Sequence, residues 1–204
     1  MRKLLPPRTG TPADLLVIGL GNPGDEYAAT RHNVGQWTLE LLAKRHGVSV
    51  KKAMGKALWG HARVGGKLLA LGIPGTYMNL SGEGVAPLVR RYGVDDFEKL
   101  LIIHDEIDLP VGRIQLKLGG GLAGHNGLKS ITHHLKSQDY ARLRIGVGRP
   151  PGQQAVADYV LKRPSAVDRK ELEVVVEEAA DAVELVLSRG IQPAMGQYNG
   201  KDDL

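Results

Sequence analysis

The chain has 204 residues, with 27 Lys and Arg against 22 Asp and Glu, and it has no cysteine. This length favours one domain with a sizeable core, and the lack of cysteine excludes disulfides, thiolate metal sites and cysteine nucleophiles. No apolar run approaches the roughly 20 residues of a membrane span, and the basic N-terminus lacks the apolar segment of a signal peptide. Aromatic residues make up only 4% of the chain, which argues against an RNA-binding platform built on base stacking.

The net charge of +5 is unevenly distributed along the sequence. Residues 165–190 carry a charge of −4, so the rest of the chain carries +9. A basic body beside one acidic helix can attract a polyanion to one face. From charge alone, however, ordinary solvated surface charge is the favoured interpretation.

The hydrophobic pattern alternates between strands and helices. In chain order it predicts a buried strand at 14–20, a turn at 21–24, a helix at 33–46, a hairpin of strands at 57–64 and 67–72, a helix at 81–92 with Ser81 as its N-cap, a buried strand at 99–104, a half-exposed strand at 113–118, a Gly-rich loop at 119–124, a helix at 126–135, a strand at 141–147 and an amphipathic helix at 165–190.

These elements predict an α/β fold, a single domain with a mixed, twisted β-sheet covered by helices on both faces. The domain is expected to span residues 14–195. Residues 1–13 are interpreted as a flexible N-terminal extension, and residues 196–204 as a C-terminal tail without an assigned role.

The best candidate for a general base is His32, just before the first predicted helix. Its unperturbed pKa of about 6.5 suits that role if an acid orients the ring. Asp105 is the natural partner, because it follows a buried strand, as Asn22 does, and ligands bind at the carboxyl ends of strands in open α/β sheets. The chain lacks the G-x-S-x-G pattern of a serine nucleophile, so a His–Asp pair would activate water directly. The alternative is a helix-start histidine and a turn-forming aspartate without a shared role.

Five further polar residues stand where they could contact a substrate. Asn22, Asn79 and Asn126 each lie in or beside a Gly-containing turn, where asparagine is also common for local backbone reasons. If the three converge, their amides can position a carbonyl, a water and a ribose at once. Lys117 and Arg144 lie on neighbouring predicted strands and are either solvated surface charges or a phosphate clamp.

Two other kinds of site are disfavoured by spacing. The run Gly19-Leu-Gly-Asn-Pro-Gly24 matches the G-x-G-x-x-G pattern of dinucleotide-binding enzymes, such as oxidoreductases. The predicted helix starts about ten residues too late for that role, and the acid expected at the end of a second strand is missing. The acids within 104–108 beside His104 supply no recognisable metal-ligand spacing, so no metal site is predicted.

Six motifs occur together in this order: Gly19-Leu-Gly-Asn-Pro-Gly-Asp-Glu-Tyr-Ala-Ala-Thr-Arg-His-Asn33, Tyr77-Met-Asn-Leu-Ser-Gly82, His104-Asp-Glu-Ile-Asp-Leu-Pro110, Lys117-Leu-Gly-Gly-Gly121, Gly124-His-Asn-Gly-Leu-Lys129 and Arg142-Leu-Arg-Ile-Gly-Val-Gly148. Through them, over about residues 14–195, the chain closely resembles bacterial peptidyl-tRNA hydrolases. The resemblance implies a monomeric, cytoplasmic α/β enzyme without a cofactor or a membrane partner. It further implies hydrolysis of the ester between a peptide and the 3′-terminal ribose of tRNA, which recycles tRNA from stalled ribosomes.

The resemblance also implies a role for each matching residue. The implied roles are His32 as catalytic base, Asp105 as its orienting acid, Asn22 and Asn79 as holders of substrate and water, Asn126 as the asparagine near the gating loop, Tyr27 as a contact to the tRNA end, Tyr77 and Met78 in the peptide cleft, and Lys117 and Arg144 as a grip on an acceptor-end phosphate. The sequence departs from the usual family pattern at four positions: Gly75, Tyr77, Gln115 and Ala123. A relative that binds RNA without cleaving it is the main alternative, but such a protein would be free to lose His32 and Asp105.

Overall fold

Seven strands build one sheet in the computed structural model, which describes residues 10–200. They are β1 (Leu15–Gly19), β2 (Lys52–Met54), β3 (Ala57–Val64), β4 (Lys67–Pro74), β5 (Leu100–Glu106), β6 (Ile114–Leu118) and β7 (Ala141–Gly146). Their order across the sheet is β2-β3-β4-β1-β5-β7-β6. The four central strands pair in parallel, whereas both flanks are antiparallel, so the predicted mixed sheet is confirmed.

Helices cover both faces of this sheet, as predicted. They are α1 (Val34–Arg45), α2 (Ser81–Arg91), α3 (Asn126–Leu135), α4 (Val156–Val160), α5 (Ala166–Arg189) and α6 (Ile191–Tyr198). Successive side chains of a strand point to opposite faces. In β1, Leu15 and Val17 therefore pack in one buried cluster with α1, α5 and α6, while Leu16 and Ile18 pack in another with α2 and α3. Within residues 10–200, no helix is both long and apolar enough to cross a membrane.

The start of α2 corrects one prediction, because Ser81 is not an N-cap. A 3₁₀ turn over Met78–Leu80 precedes the helix, and Ser81 itself has helical backbone angles (φ −53°, ψ −34°). An N-cap side chain needs a non-helical backbone to reach the free N–H groups of the first turn. The Ser81 hydroxyl instead donates to the carbonyl of Met78 at 2.7 Å, which ties the turn to the helix.

The packed part of the domain continues beyond residue 195, where the sequence predicted its end. The predicted boundary at residue 195 falls inside α6, which continues to Tyr198. The side chain of Asn199 then donates to the carbonyl of Leu116 at 2.8 Å and accepts from the N–H of Leu116 at 2.9 Å. These two bonds satisfy backbone groups on the edge strand β6. Residues 201–204 of the predicted tail, and residues 1–9 of the predicted extension, lie outside the described residues.

Removing this pair of hydrogen bonds should destabilise the fold. We expect Asn199→Ala to lower the free energy of unfolding by about 1–3 kcal/mol, since it leaves a backbone donor and an acceptor of Leu116 without partners. Urea unfolding would measure the change, with Gln197→Ala, an exposed position on α6, as the control. Equal midpoints for the two variants would contradict a stabilising role for Asn199.

Candidate active site

A close approach between α1 and β5 brings His32 to Asp105. His32 lies on the 3₁₀ turn Arg31–Asn33 that leads into α1, and Asp105 is the second-last residue of β5. A Cβ atom on Gly35 would lie only 2.3 Å from the carbonyl oxygen of Ile103, so glycine is needed for the helix to start so near the strand. The result is a hydrogen bond of 2.8 Å between Nδ1 of His32 and Oδ1 of Asp105.

This bond sets the protonation of the His32 ring. An ionised carboxylate only accepts hydrogen bonds, so Nδ1 carries the proton and Nε2 is left as a proton acceptor. Burial lowers the pKa of His32, but the charge and the hydrogen bond of Asp105 outweigh burial and raise that pKa above its usual 6.5. The predicted His–Asp pair thus exists in the geometry required of a base and its orienting acid.

A second histidine, His125, donates to the same carboxylate oxygen, and the sequence analysis missed it. Its Nε2 lies 3.0 Å from Oδ1 of Asp105. Its Nδ1 accepts from the backbone N–H groups of Gly127 at 3.1 Å and Leu128 at 3.4 Å, so His125 is the N-cap of α3. Its place directly before the predicted helix was a signal, but histidine is not among the preferred N-cap residues.

The cap fixes the tautomer of His125 and so bears on metal binding. Ligand atoms of His32, Asp105 and His125 all lie within 4.8 Å of one another, close enough to hold an ion. A metal on Nε2 of His125 would need the ring proton on Nδ1, where it would face two backbone N–H groups. The three residues therefore suit a hydrogen-bonded triad better than a metal site.

Two donated hydrogen bonds keep Asp105 ionised. The carboxyl is almost fully buried, and burial raises its pKa. The rings of His32 and His125 outweigh that effect and hold the pKa well below its usual range. His104, which precedes Asp105, stays neutral because burial and the nearby His125 lower its pKa to about 3.

The side chain of Asn22 is held in one orientation, in which its Nδ2 group can donate to a ligand. The side chain of Asn33 brackets its backbone, accepting from the Asn22 N–H at 2.9 Å and donating to the Asn22 carbonyl at 2.9 Å. Oδ1 of Asn22 accepts from the backbone N–H of Met78 at 2.7 Å, and an N–H group can only donate, which fixes the orientation of the amide. The Nδ2 group of Asn22 is consequently the part that is available to a ligand.

Most of the predicted site residues meet in one cleft of about 650 Å³. Seven of the ten line it: Asn22, His32, Tyr77, Met78, Asn79, Asp105 and Asn126. Asn79 and Asn126 are exposed, and together with Asn22 they line this one cleft. The helix α4 and the residue after it supply an apolar wall, which consists of Val156, Ala157, Val160 and Leu161.

Tyr27 lies at the rim rather than in the cleft lining. Its ring meets the ring of Tyr77 edge-on, with 6.2 Å between the ring centres. Tyr77 itself is 55% exposed, which is unusual for a large ring. The two tyrosines form an aromatic edge beside the site.

Lys117 and Arg144 lie at a second, smaller cavity of about 260 Å³, separated from the cleft by the Gly-rich loop. Ala123 of that loop borders both cavities. Arg144 already has partners, since Nε and Nη2 donate to Oε2 of Glu106 at 2.9 and 2.8 Å, and Nη1 donates to Gln115. A phosphate at this cavity would therefore share Arg144 with Glu106 and Gln115.

A buried arginine side chain holds the backbone of the loop between the two cavities. The buried guanidinium of Arg142 donates to the carbonyls of Gly121 at 2.6 Å and Gly120 at 2.8 Å. Ala123 adopts a left-handed backbone conformation with φ of 46°, which is uncommon for residues other than glycine. This is one of the positions where the sequence departs from the usual family pattern.

Comparisons with known proteins identify the family of this chain. The family model for peptidyl-tRNA hydrolase matches residues 16–203. Proteins named peptidyl-tRNA hydrolase from Nocardia farcinica and Rhodococcus erythropolis are each 52% identical, over 95% and 90% of this chain and 98% and 97% of their own. The crystal structure of the peptidyl-tRNA hydrolase from Acinetobacter baumannii matches with a TM-score of 0.86 at 36% identity, over 94% of this chain and 98% of that one. The chain therefore belongs to the peptidyl-tRNA hydrolase family.

Proposed function

We propose that this chain hydrolyses the ester bond of peptidyl-tRNA with a water molecule activated by His32. The family match supports the reaction, and one observation above all supports the mechanism. Nδ1 of His32 donates to the buried Asp105 at 2.8 Å, which leaves Nε2 as a proton acceptor in a residue that lines the cleft. A single activated water is sufficient chemistry because an ester has a better leaving group than an amide.

The proposed steps balance in protons and charge. Nε2 of His32 takes a proton from water, and the water oxygen attacks the carbonyl carbon of the ester. The carbonyl oxygen becomes an oxyanion, to which Nδ2 of Asn22 donates, and Asn79, which lines the same cleft, is proposed to assist. The intermediate then expels the ribose 3′ oxygen, which takes the proton back from His32. Asp105 stays ionised throughout and stabilises the imidazolium that forms in between.

The remaining predicted residues are proposed to bind the two halves of the substrate. The apolar wall of α4, with Tyr77 and Met78, would hold the peptide, and contacts to its main chain would permit any sequence. Asn126 would hold the ribose end, Tyr27 the tRNA terminus through the aromatic edge, and Lys117 with Arg144 a phosphate.

We also infer that the protein works as a monomer in the cytoplasm. One chain supplies every residue of the proposed site, and the substrate originates at ribosomes. Size-exclusion chromatography with light scattering tests the first of these statements, and a mass near twice 22.0 kDa would contradict it.

The proposed reaction can be tested by release of free tRNA from an N-blocked substrate, diacetyl-lysyl-tRNA, with EDTA present. We expect cleavage well above the rate without enzyme, because the proposed mechanism needs no metal. If the protein binds this tRNA but does not cleave it, a non-catalytic RNA-binding role would replace the proposal. Cleavage that occurs without EDTA but not in its presence would reject the metal-free mechanism.

The proposed phosphate contact predicts a change in salt dependence for Lys117→Gln. Each phosphate contact releases counterions, so losing one should reduce the slope of log affinity against log salt by about 0.7–0.9. Binding of the tRNA substrate to the His32→Ala background, measured at several salt concentrations, gives this slope without turnover. Lys51→Gln, near β2 at the opposite edge of the sheet, is the control. A loss of affinity that is equal at every salt concentration would refute the contact.

A further inference from the structure

Arg31, the residue before the proposed base, has a buried side chain for which the mechanism gives no role. Its Nη1 group donates to the carbonyls of Lys162 at 3.4 Å and Arg163 at 3.1 Å, and Nη2 pairs with Asp168 at 3.0 Å. The backbone N–H of Arg31 donates to the carbonyl of Lys162 as well, at 3.3 Å. One residue thus ties the turn that carries His32 to the segment between α4 and α5.

The short helix α4, which precedes the segment bound by Arg31, depends on tertiary contacts for its stability. α4 has only five residues, far fewer than the roughly 12–15 that an isolated helix needs for stability in water. It is held by Tyr159, whose hydroxyl donates to the carbonyl of Val147 at 2.8 Å and whose ring lies 4.1 Å from the guanidinium carbon of Arg31. Because α4 forms the apolar wall of the cleft, the position of that wall depends partly on Arg31.

The same residue fixes the base. The ring of His32 is held by Asp105 through a side-chain bond, whereas its backbone is held by the anchored turn at Arg31. We propose that Arg31 is a positioning residue that couples the apolar wall of α4 to the orientation of His32. A peptide long enough to rest on α4 thereby stabilises the productive position of the base. This inference rests on the proposed function.

The contacts of Arg31 require a guanidinium group. Its planar fork of five N–H donors reaches two carbonyls and a carboxylate at once while stacking on the ring of Tyr159. A lysine ammonium is a compact charge that keeps the ion pair with Asp168 but cannot bridge all three partners. Arg31→Lys therefore preserves the charge of the site and removes the coupling.

The test compares two substrates that differ in peptide length. One is tRNA carrying a single acetylated amino acid, and the other is tRNA carrying a longer acetylated peptide that reaches α4. We expect Arg31→Lys to lower kcat/KM for the long substrate about 10- to 100-fold more than for the short one. The loss should appear in both KM and kcat for the long substrate but mainly in kcat for the short one.

Two further variants keep the proposal falsifiable. Arg169→Lys is the matched control, because Arg169 is a half-exposed neighbour whose side chain pairs with Glu173 and stacks on Trp37 of α1. Asp168→Asn leaves Arg31 in place and removes only the ion pair, so it should act in the same direction with a smaller effect. If Arg31→Lys does not fold, the same comparison of the two substrates is made with Asp168→Asn. The ¹⁵N signals of the His32 ring should shift in both test variants and not in the control.

The possible failures are distinguishable. An unchanged ratio of long-substrate to short-substrate kcat/KM in the folded test variants overturns the coupling, even if their thermal stability falls. If the wild-type protein cleaves neither substrate, the proposed function itself is wrong, whatever the variants do.

Discussion

Replacing His32 with alanine should lower kcat by about 10²- to 10⁴-fold, the usual contribution of a positioned general base. Only Nε2 of this ring is left as a proton acceptor beside the orienting Asp105, and the chain has no cysteine and no G-x-S-x-G pattern that would supply a nucleophile instead of an activated water. The affinity for uncleaved tRNA substrate should change little, because the proposed phosphate contacts lie at the other cavity. Release of free tRNA under single-turnover conditions would measure the chemical step directly.

The control for this substitution is His133→Ala, which removes an exposed histidine from α3. It should leave kcat unchanged. Equal activity of His32→Ala and the wild-type protein would keep the enzyme but discard the proposed base. A large loss of tRNA affinity in His32→Ala would show that the residue mainly binds substrate.

The substitution Asp105→Asn should also slow hydrolysis by about 10²- to 10⁴-fold, but for a different reason. An asparagine amide can donate to Nδ1 of His32, which would move the ring proton to Nε2 and leave no base facing the water. The hydrogen bond from His125 to the same oxygen would be weakened as well. Asp108→Asn, the same change at a half-exposed position three residues on, is the matched control.

The pH dependence distinguishes this explanation from simple loss of structure. In the wild-type protein, the raised pKa of His32 means that the ring stays protonated to a higher pH, so kcat/KM should rise with pH through a midpoint above 6.5. The charge and the hydrogen bond of Asp105 raise the pKa of His32. The midpoint of the residual activity in Asp105→Asn should therefore move to lower pH. An unchanged midpoint would contradict the proposed role of Asp105.

The sequence predicted the elements with long hydrophobic patterns and missed the short ones. The three residues of β2 and the five of α4 are too short for a recognisable period. α6 was missed because Gly190 and Pro193 look like helix breakers. Proline is nevertheless tolerated in the first turn of a helix, where the backbone N–H has no intrahelical partner.

The sequence was more informative about the site than about its supports. His32, Asp105 and Asn22 could be placed together because each precedes or follows a predicted element at the same sheet edge. His125 and Arg31 could not, since their roles depend on contacts with residues 20 and 137 positions away. The sequence correctly placed Arg144 and Lys117 on two neighbouring strands, β7 and β6. The pairing of Arg144 with Glu106 depends on side-chain direction, which a periodic pattern does not specify.

The left-handed backbone of Ala123 has a consequence for how the loop between the two cavities can move. An alanine at φ of 46° stores backbone strain of about 1–2 kcal/mol that a glycine would not. In return, its Cβ atom removes many of the conformations that glycine would sample. With Arg142 fixing the preceding carbonyls, the loop would lose less conformational entropy on binding any ligand that orders it.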